Sequence, residues 1–92
     1  MTTRQLRETR RLVPLYYLDD YLAGWRRLYL AVNEAGGRAT IFRASEREDQ
    51  FLEFLESDDL IRLLEDPRVA AALEALDISF GEGTREEWEE IG

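Results

Sequence analysis

Carboxylates run through the second half of the chain in groups: Glu46, Glu48 and Asp49, then Asp58 and Asp59, then Glu86, Glu87, Glu89 and Glu90. Such groups could hold a hard cation or supply an acid/base pair. None has the spacing of a calcium loop. Solvated faces and helix starts, where acids favour the dipole, account for them more simply. A second set is aromatic. Tyr16, Tyr17, Trp25, Tyr29, Phe42 and Phe54 could line a pocket, with Asn33 and Arg43 to orient a planar guest. From these we take Tyr16, Trp25, Tyr29, Asn33, Arg43 and Phe54 as candidate ligand-binding residues for a small apolar or aromatic molecule. Core packing is the competing account of the same side chains. The absences are sharper. There is no histidine and no cysteine. The usual neutral-pH base, the usual haem or zinc ligand and the thiol nucleophile are therefore missing. No catalytic residue can be assigned, and neither a metal nor a cofactor is expected.

The charge is −8 and unevenly placed. Residues 1–43 hold eight arginines against four acids, and residues 44–92 hold four against sixteen, giving +4 and −12. Every basic residue is arginine. The acidity argues against nucleic acid or an anionic membrane as partner. No apolar run reaches the length of a membrane span, and no signal-peptide pattern opens the chain, so a cytoplasmic location is the default expectation. Ninety-two residues suit one domain, 1–92, with a thin stability margin. Without disulfides or metals, oligomerisation is the usual reinforcement.

The elements that must position these residues follow from pattern. "RRLVPLYYL", Arg10 to Leu18, reads as an edge strand, or as a strand with Pro14 facing away from its neighbour, since Pro14 lacks an N–H. Residues 1–9 are expected to fray. Asp19 and Asp20 offer N-caps for a helix with the stripe Leu22, Trp25, Tyr29, Val32, widened by Leu18, Tyr21, Leu28 and Ala35. Gly36 and Gly37 stop it. "ATIFRA" reads as a strand. "SEREDQ" matches a capping box. A fresh cap cluster at Ser57, Asp58 and Asp59 nevertheless favours a hairpin, with Ala39–Arg43 pairing Phe51–Leu55. The hairpin shows apolar residues on both faces, Phe51 and Leu55 against Leu52 and Phe54, as when both sides are covered. The following helix breaks at Asp66-Pro67, which reads as a second cap with proline at the first helical position. In the acidic tail, 81–92, "TREE" matches a capping box that would put Trp88 and Ile91 on a final turn. Ile78 and Phe80 alternate as in a short strand. Whether residues 77–91 give a strand, a turn or a swapped tail stays open.

This β-α-β-β-α-(β) order resembles the ferredoxin-like fold. It looks, more narrowly, like the dimeric α+β barrel superfamily of antibiotic-biosynthesis-monooxygenase-like proteins. The residues that carry the likeness are "FRASEREDQFLEFLES" as the hairpin leading into a helix and "LLEDPRVAAALEAL" as the kinked helix. The resemblance implies an α+β fold with an antiparallel sheet and helices on one face. It implies a homodimer whose sheets meet, and a pocket between helix and sheet or inside the barrel. It implies at most a cofactor-free oxygenase-like activity. A non-catalytic interaction module that uses the acidic C-terminal half, in the extreme an all-α one, is the alternative.

Overall fold

The computed structural model describes residues 3–92. Strand β1 (Gln5–Leu12) leads through a 3-10 turn (Leu15–Tyr17) into helix α1 (Leu18–Glu34). Strands β2 (Arg38–Arg43) and β3 (Gln50–Ser57) follow, then helices α2 (Leu60–Glu65) and α3 (Pro67–Phe80), and last strand β4 (Thr84–Glu89). The sheet order is β2-β3-β1-β4, and every pairing is antiparallel. The fold is α+β and ferredoxin-like, with the helices on one face.

The hairpin forms as expected. Ala39 pairs with Leu55 and Arg43 with Phe51, and residues 44–49 turn between them, closed by the Ala44 N–H on the Gln50 carbonyl at 2.9 Å. The Asp59 carboxylate caps α2 on the Arg62 N–H at 3.1 Å. The break at Asp66-Pro67 is also present. Asp66 closes α2, and its carboxylate accepts from the Arg68 and Val69 N–H groups at 2.9 and 3.3 Å to open α3. Helix α1 ends in a Schellman turn. Gly37 donates to the Val32 carbonyl and Gly36 to that of Asn33, with Gly36 at φ 88, where a Cβ would be strained.

Several expectations need correction. Residues 5–9, expected to fray, form the first half of β1; residues 1 and 2 of that arm lie outside the described residues. Residues 13–18, expected as strand, instead turn into α1. The Val13 N–H bonds the Asp49 carbonyl at 2.8 Å, Pro14 has no N–H to extend the ladder, and the Tyr17 N–H closes on Pro14 at 2.9 Å. Asp19 and Asp20 are not caps but first-turn acids of α1, whose N-cap is Tyr17. The tail is strand β4, not a helical turn. It pairs with β1 from Gln5–Glu89 to Arg10–Thr84, so β1 lies inside the sheet between β3 and β4 and is not the edge strand expected; without β4 that side would be unpaired. Ile78 and Phe80 belong to α3, which runs on to Gly81.

The core lies between helices and sheet. Tyr21, Trp25, Leu28 and Val32 of α1 meet Val69, Leu73 and Leu76 of α3 and Phe51 and Leu55 of β3. The buried stripe of α1 is therefore rotated from the expected one. Leu22 and Tyr29 are each 41% exposed, while Tyr21 is fully buried, because its hydroxyl finds a partner in the interior.

Candidate functional site

The helix-facing side of the sheet holds an ionic network. Alternation along β1 and β3 sends Arg11 and Glu53 inward, in line with Val13, Phe51 and Leu55. Arg11 is 1% exposed and Glu53 2%. Arg11 grips Glu53 with two bonds, Nε to Oε2 at 2.8 Å and Nη2 to Oε1 at 3.0 Å. Its Nη1 donates to Asp77 of α3 at 3.1 Å and to the Gly81 carbonyl. The Tyr21 hydroxyl donates to Glu53 Oε2 at 2.5 Å. Arg85 of β4 closes the far side on Asp77. The Tyr21 ring is held between Phe51 and Phe80, with centroids at 4.9 and 5.4 Å.

Burial and the adjacent Glu53 carboxylate push the Tyr21 phenol well above its ordinary range, with Arg11 offsetting only part. Burial alone would lower the Arg11 guanidinium, but the bonds and charges of Glu53 and Asp77 more than offset it and hold it above its ordinary value. Arg11 stays charged and Tyr21 stays neutral through the physiological range. Four guanidinium bonds are made inside the protein. The network ties β1, β3, β4, α1 and α3 together.

The other side of the sheet carries no helix. Its register rows run Phe42–Leu52–Arg10–Thr84, Thr40–Phe54–Glu8–Glu86 and Arg38–Glu56–Leu6–Trp88. Leu12, Phe42 and Trp88 are 58%, 54% and 53% exposed. Phe42 and Phe54 pair edge-to-face at 5.6 Å. This is a mixed face, with an apolar band framed by Arg10, Arg38, Glu8 and Glu86. A separate cleft of about 880 Å³ lies where the end of α1 meets the start of α2. Its lining is mostly charged, including Arg4, Glu56, Asp59 and Arg62, with no aromatic side chain.

The candidate ligand residues fall in several places. Trp25 is buried in the helix–sheet core, and Phe54 is half-buried on the opposite side of the sheet. Arg43 ends β2 with its guanidinium 5.5 Å from the Phe51 ring centroid. Tyr16, 89% exposed, precedes α1 and meets Tyr17 edge-to-face, while Tyr29 and Asn33 lie on exposed positions of α1. One chain does not gather them into a single pocket. Sequence reasoning missed Arg11, Tyr21, Glu53, Asp77 and Arg85 as a group. A signal was present: Glu53 sits between Phe51 and Leu55 on the face that alternation buries. Among the described residues no group of acids is placed to hold a metal ion, and no helix is long and apolar enough to cross a membrane.

Strand order, pairing and helix placement together define a ferredoxin-like α+β domain. No family model and no curated protein matches the sequence. Solved structures do match. SnoaB, a cofactor-independent oxygenase from Streptomyces nogalater, superposes with TM-score 0.73 at 13% identity over 100% of this chain and 94% of its own. A conserved protein from Methanosarcina mazei Go1 gives 0.78 at 10% identity, over 98% and 95%. A candidate antibiotic biosynthesis monooxygenase from Caulobacter crescentus CB15 gives 0.76 at 13%, over 99% and 92%. At these identities the likeness is one of fold.

Proposed function

We propose that the chain is a homodimeric α+β-barrel protein that binds a small aromatic or apolar molecule between its two sheets. Any activity is at most a cofactor-free oxygenase-type reaction. The observation that carries this reading is the uncovered sheet face, where Leu12, Phe42 and Trp88 stay exposed beside the Phe42–Phe54 pair. A sheet with helices on one side leaves an apolar face that a second sheet can cover. The helix-facing interior is filled by the Arg11 network, which leaves the space between sheets as the place for a guest. Phe54 would then contact the guest, while Arg43 stays with Phe51 on the helix-facing side. The fold shared with SnoaB supports the oxygenase-type limit. With no histidine or cysteine, the substrate itself would have to ionise easily.

The test joins assembly to binding. Sedimentation equilibrium at micromolar protein should give a dimer, and an obligate interface of this type buries about 2,000 Å² or more. Anthrone, a neutral planar arene, should bind that dimer, read by tryptophan quenching, with any turnover read as oxygen uptake. A stable monomer that leaves anthrone free would overturn the reading.

A further inference from the structure

Helix α1 keeps an outward face that the sheet-to-sheet dimer does not cover, and its charges are ordered. Asp19 and Asp20 stand two turns ahead of Arg26 and Arg27, with the small Ala23 midway. All five are exposed, and among the described residues none of the four charged ones makes an ion pair. Seven residues along a helix span about 10.5 Å, too far for the acids to reach the arginines of their own helix. The apolar residues follow the same order. Leu30, seven residues after Ala23, is 46% exposed, and Tyr16, seven before it, is 89% exposed.

We infer that this face is a second self-association surface, which takes α1 of another copy antiparallel across a two-fold axis at Ala23. An antiparallel two-fold places residues equally spaced about its centre opposite one another. Asp20 then meets the other copy's Arg26, and Asp19 meets its Arg27. Each pair occurs twice, making four ion pairs. Tyr16 falls against Leu30 of the other copy, so that both ends close on an apolar contact. Ala23 meets its own copy at the centre, where a small side chain lets two helices approach. A groove of about 500 Å³ bordered by Asp20, Ala23 and Arg27 on α1 and by Ala75 and Ser79 on α3 gives room for incoming side chains. The order of charges selects the occupant: a parallel partner would set Asp19 and Asp20 against the same acids. The surface stands apart from the sheet face. Together, two isologous contacts build a closed tetramer if their axes intersect and an open chain if they do not.

Sedimentation velocity of the full chain tests this up to about 1 mM, where even a contact with a Kd near 1 mM is half occupied. The wild type should show a reversible association step beyond the sheet-mediated state. R26E/R27E presents only acids on this face and D19R/D20R only arginines, so each alone should lose that step, weakened at least about tenfold. An equimolar mixture of the two should regain it, because every facing pair is again opposite in sign. Absence of the step in the wild type would overturn the inference. So would its persistence in either variant alone, or its failure to return in the mixture. Trp88→Glu, which burdens only the sheet face, should leave the α1 step intact. If Trp88→Glu leaves all association unchanged while the charge variants abolish it, the α1 surface stands and the sheet-face dimer falls.

Discussion

Arg11 and Glu53 are two opposite charges with almost no solvent, and their value lies in their pairing. Taking both ions from water costs several kcal/mol each, which two parallel hydrogen bonds and further partners offset. Arg11→Met leaves Glu53 buried and uncompensated, and should cost about 3–5 kcal/mol. Glu53→Leu should cost a similar amount for the reverse reason. The double variant should recover most of that loss, since a matched apolar pair carries no desolvation cost. Urea unfolding of the three variants checks the cycle. Recovery fails if the network has a role beyond its own charge balance. Tyr21 sets a pH dependence. Its folded-state pKa lies above the ordinary value of about 10, so its contribution is complete below pH ~10. Above that, the unfolded chain releases the phenolic proton while the folded chain keeps it. Stability should therefore fall as pH rises past ~10. Phenolate absorbance should show one tyrosine that ionises only as the protein unfolds, and Tyr21→Phe should remove that late step.

Asp66 works at the scale of elements. One residue ends α2, and its carboxylate opens α3 by accepting two backbone N–H groups, with Pro67 behind it. Asp66→Ala should cost about 0.5–2 kcal/mol, and Asp66→Asn should recover much of it because the amide oxygen still accepts. Thermal melts of the two variants decide whether the cap or the charge matters. Gly83 shows the same dependence at the other end. It sits at φ 65, and an added Cβ would come within 2.1 Å of the Arg10 carbonyl, so the turn into β4 leaves no space for a side chain.

Trp88 and Trp25 report on the whole molecule. Trp25 is 7% exposed in the core and Trp88 is 53% exposed on the uncovered sheet face. In a Trp25→Phe protein, Trp88 becomes the only fluorophore of its kind. Its emission should shift to the blue as protein concentration rises through the dimerisation range, because the second sheet removes water from the indole. Emission that stays red in a protein that sediments as a dimer would place the interface elsewhere. Adding Trp88→Glu to the otherwise wild-type chain should give mainly a species lacking the sheet contact, through a charge buried without a partner.

Much of the fold was legible in local pattern. The hairpin was marked by a polar turn between two β-rich runs and by the fresh cap at Ser57–Asp59. The break at Asp66-Pro67 was marked by cap chemistry, and the stop of α1 by two glycines. These features depend on residues near one another in the chain, so they can be read in order along it. The absence of histidine and cysteine likewise limited the chemistry without any structure. Where contacts span the chain, local signals misled. "TREE" satisfies a capping box, yet residues 84–89 form a strand, because the edge of β1 offers a row of backbone hydrogen bonds that only the folded sheet presents. The stripe of α1 was centred too far round the helix: Trp25, Val32, Tyr21 and Leu28 are buried, but Leu22 and Tyr29 are not, and the acceptor that lets Tyr21 take the interior, Glu53, lies 32 residues away. The same distance hid the Arg11 network: each member is an ordinary charged residue until the fold brings strand, strand, helix and helix to one point.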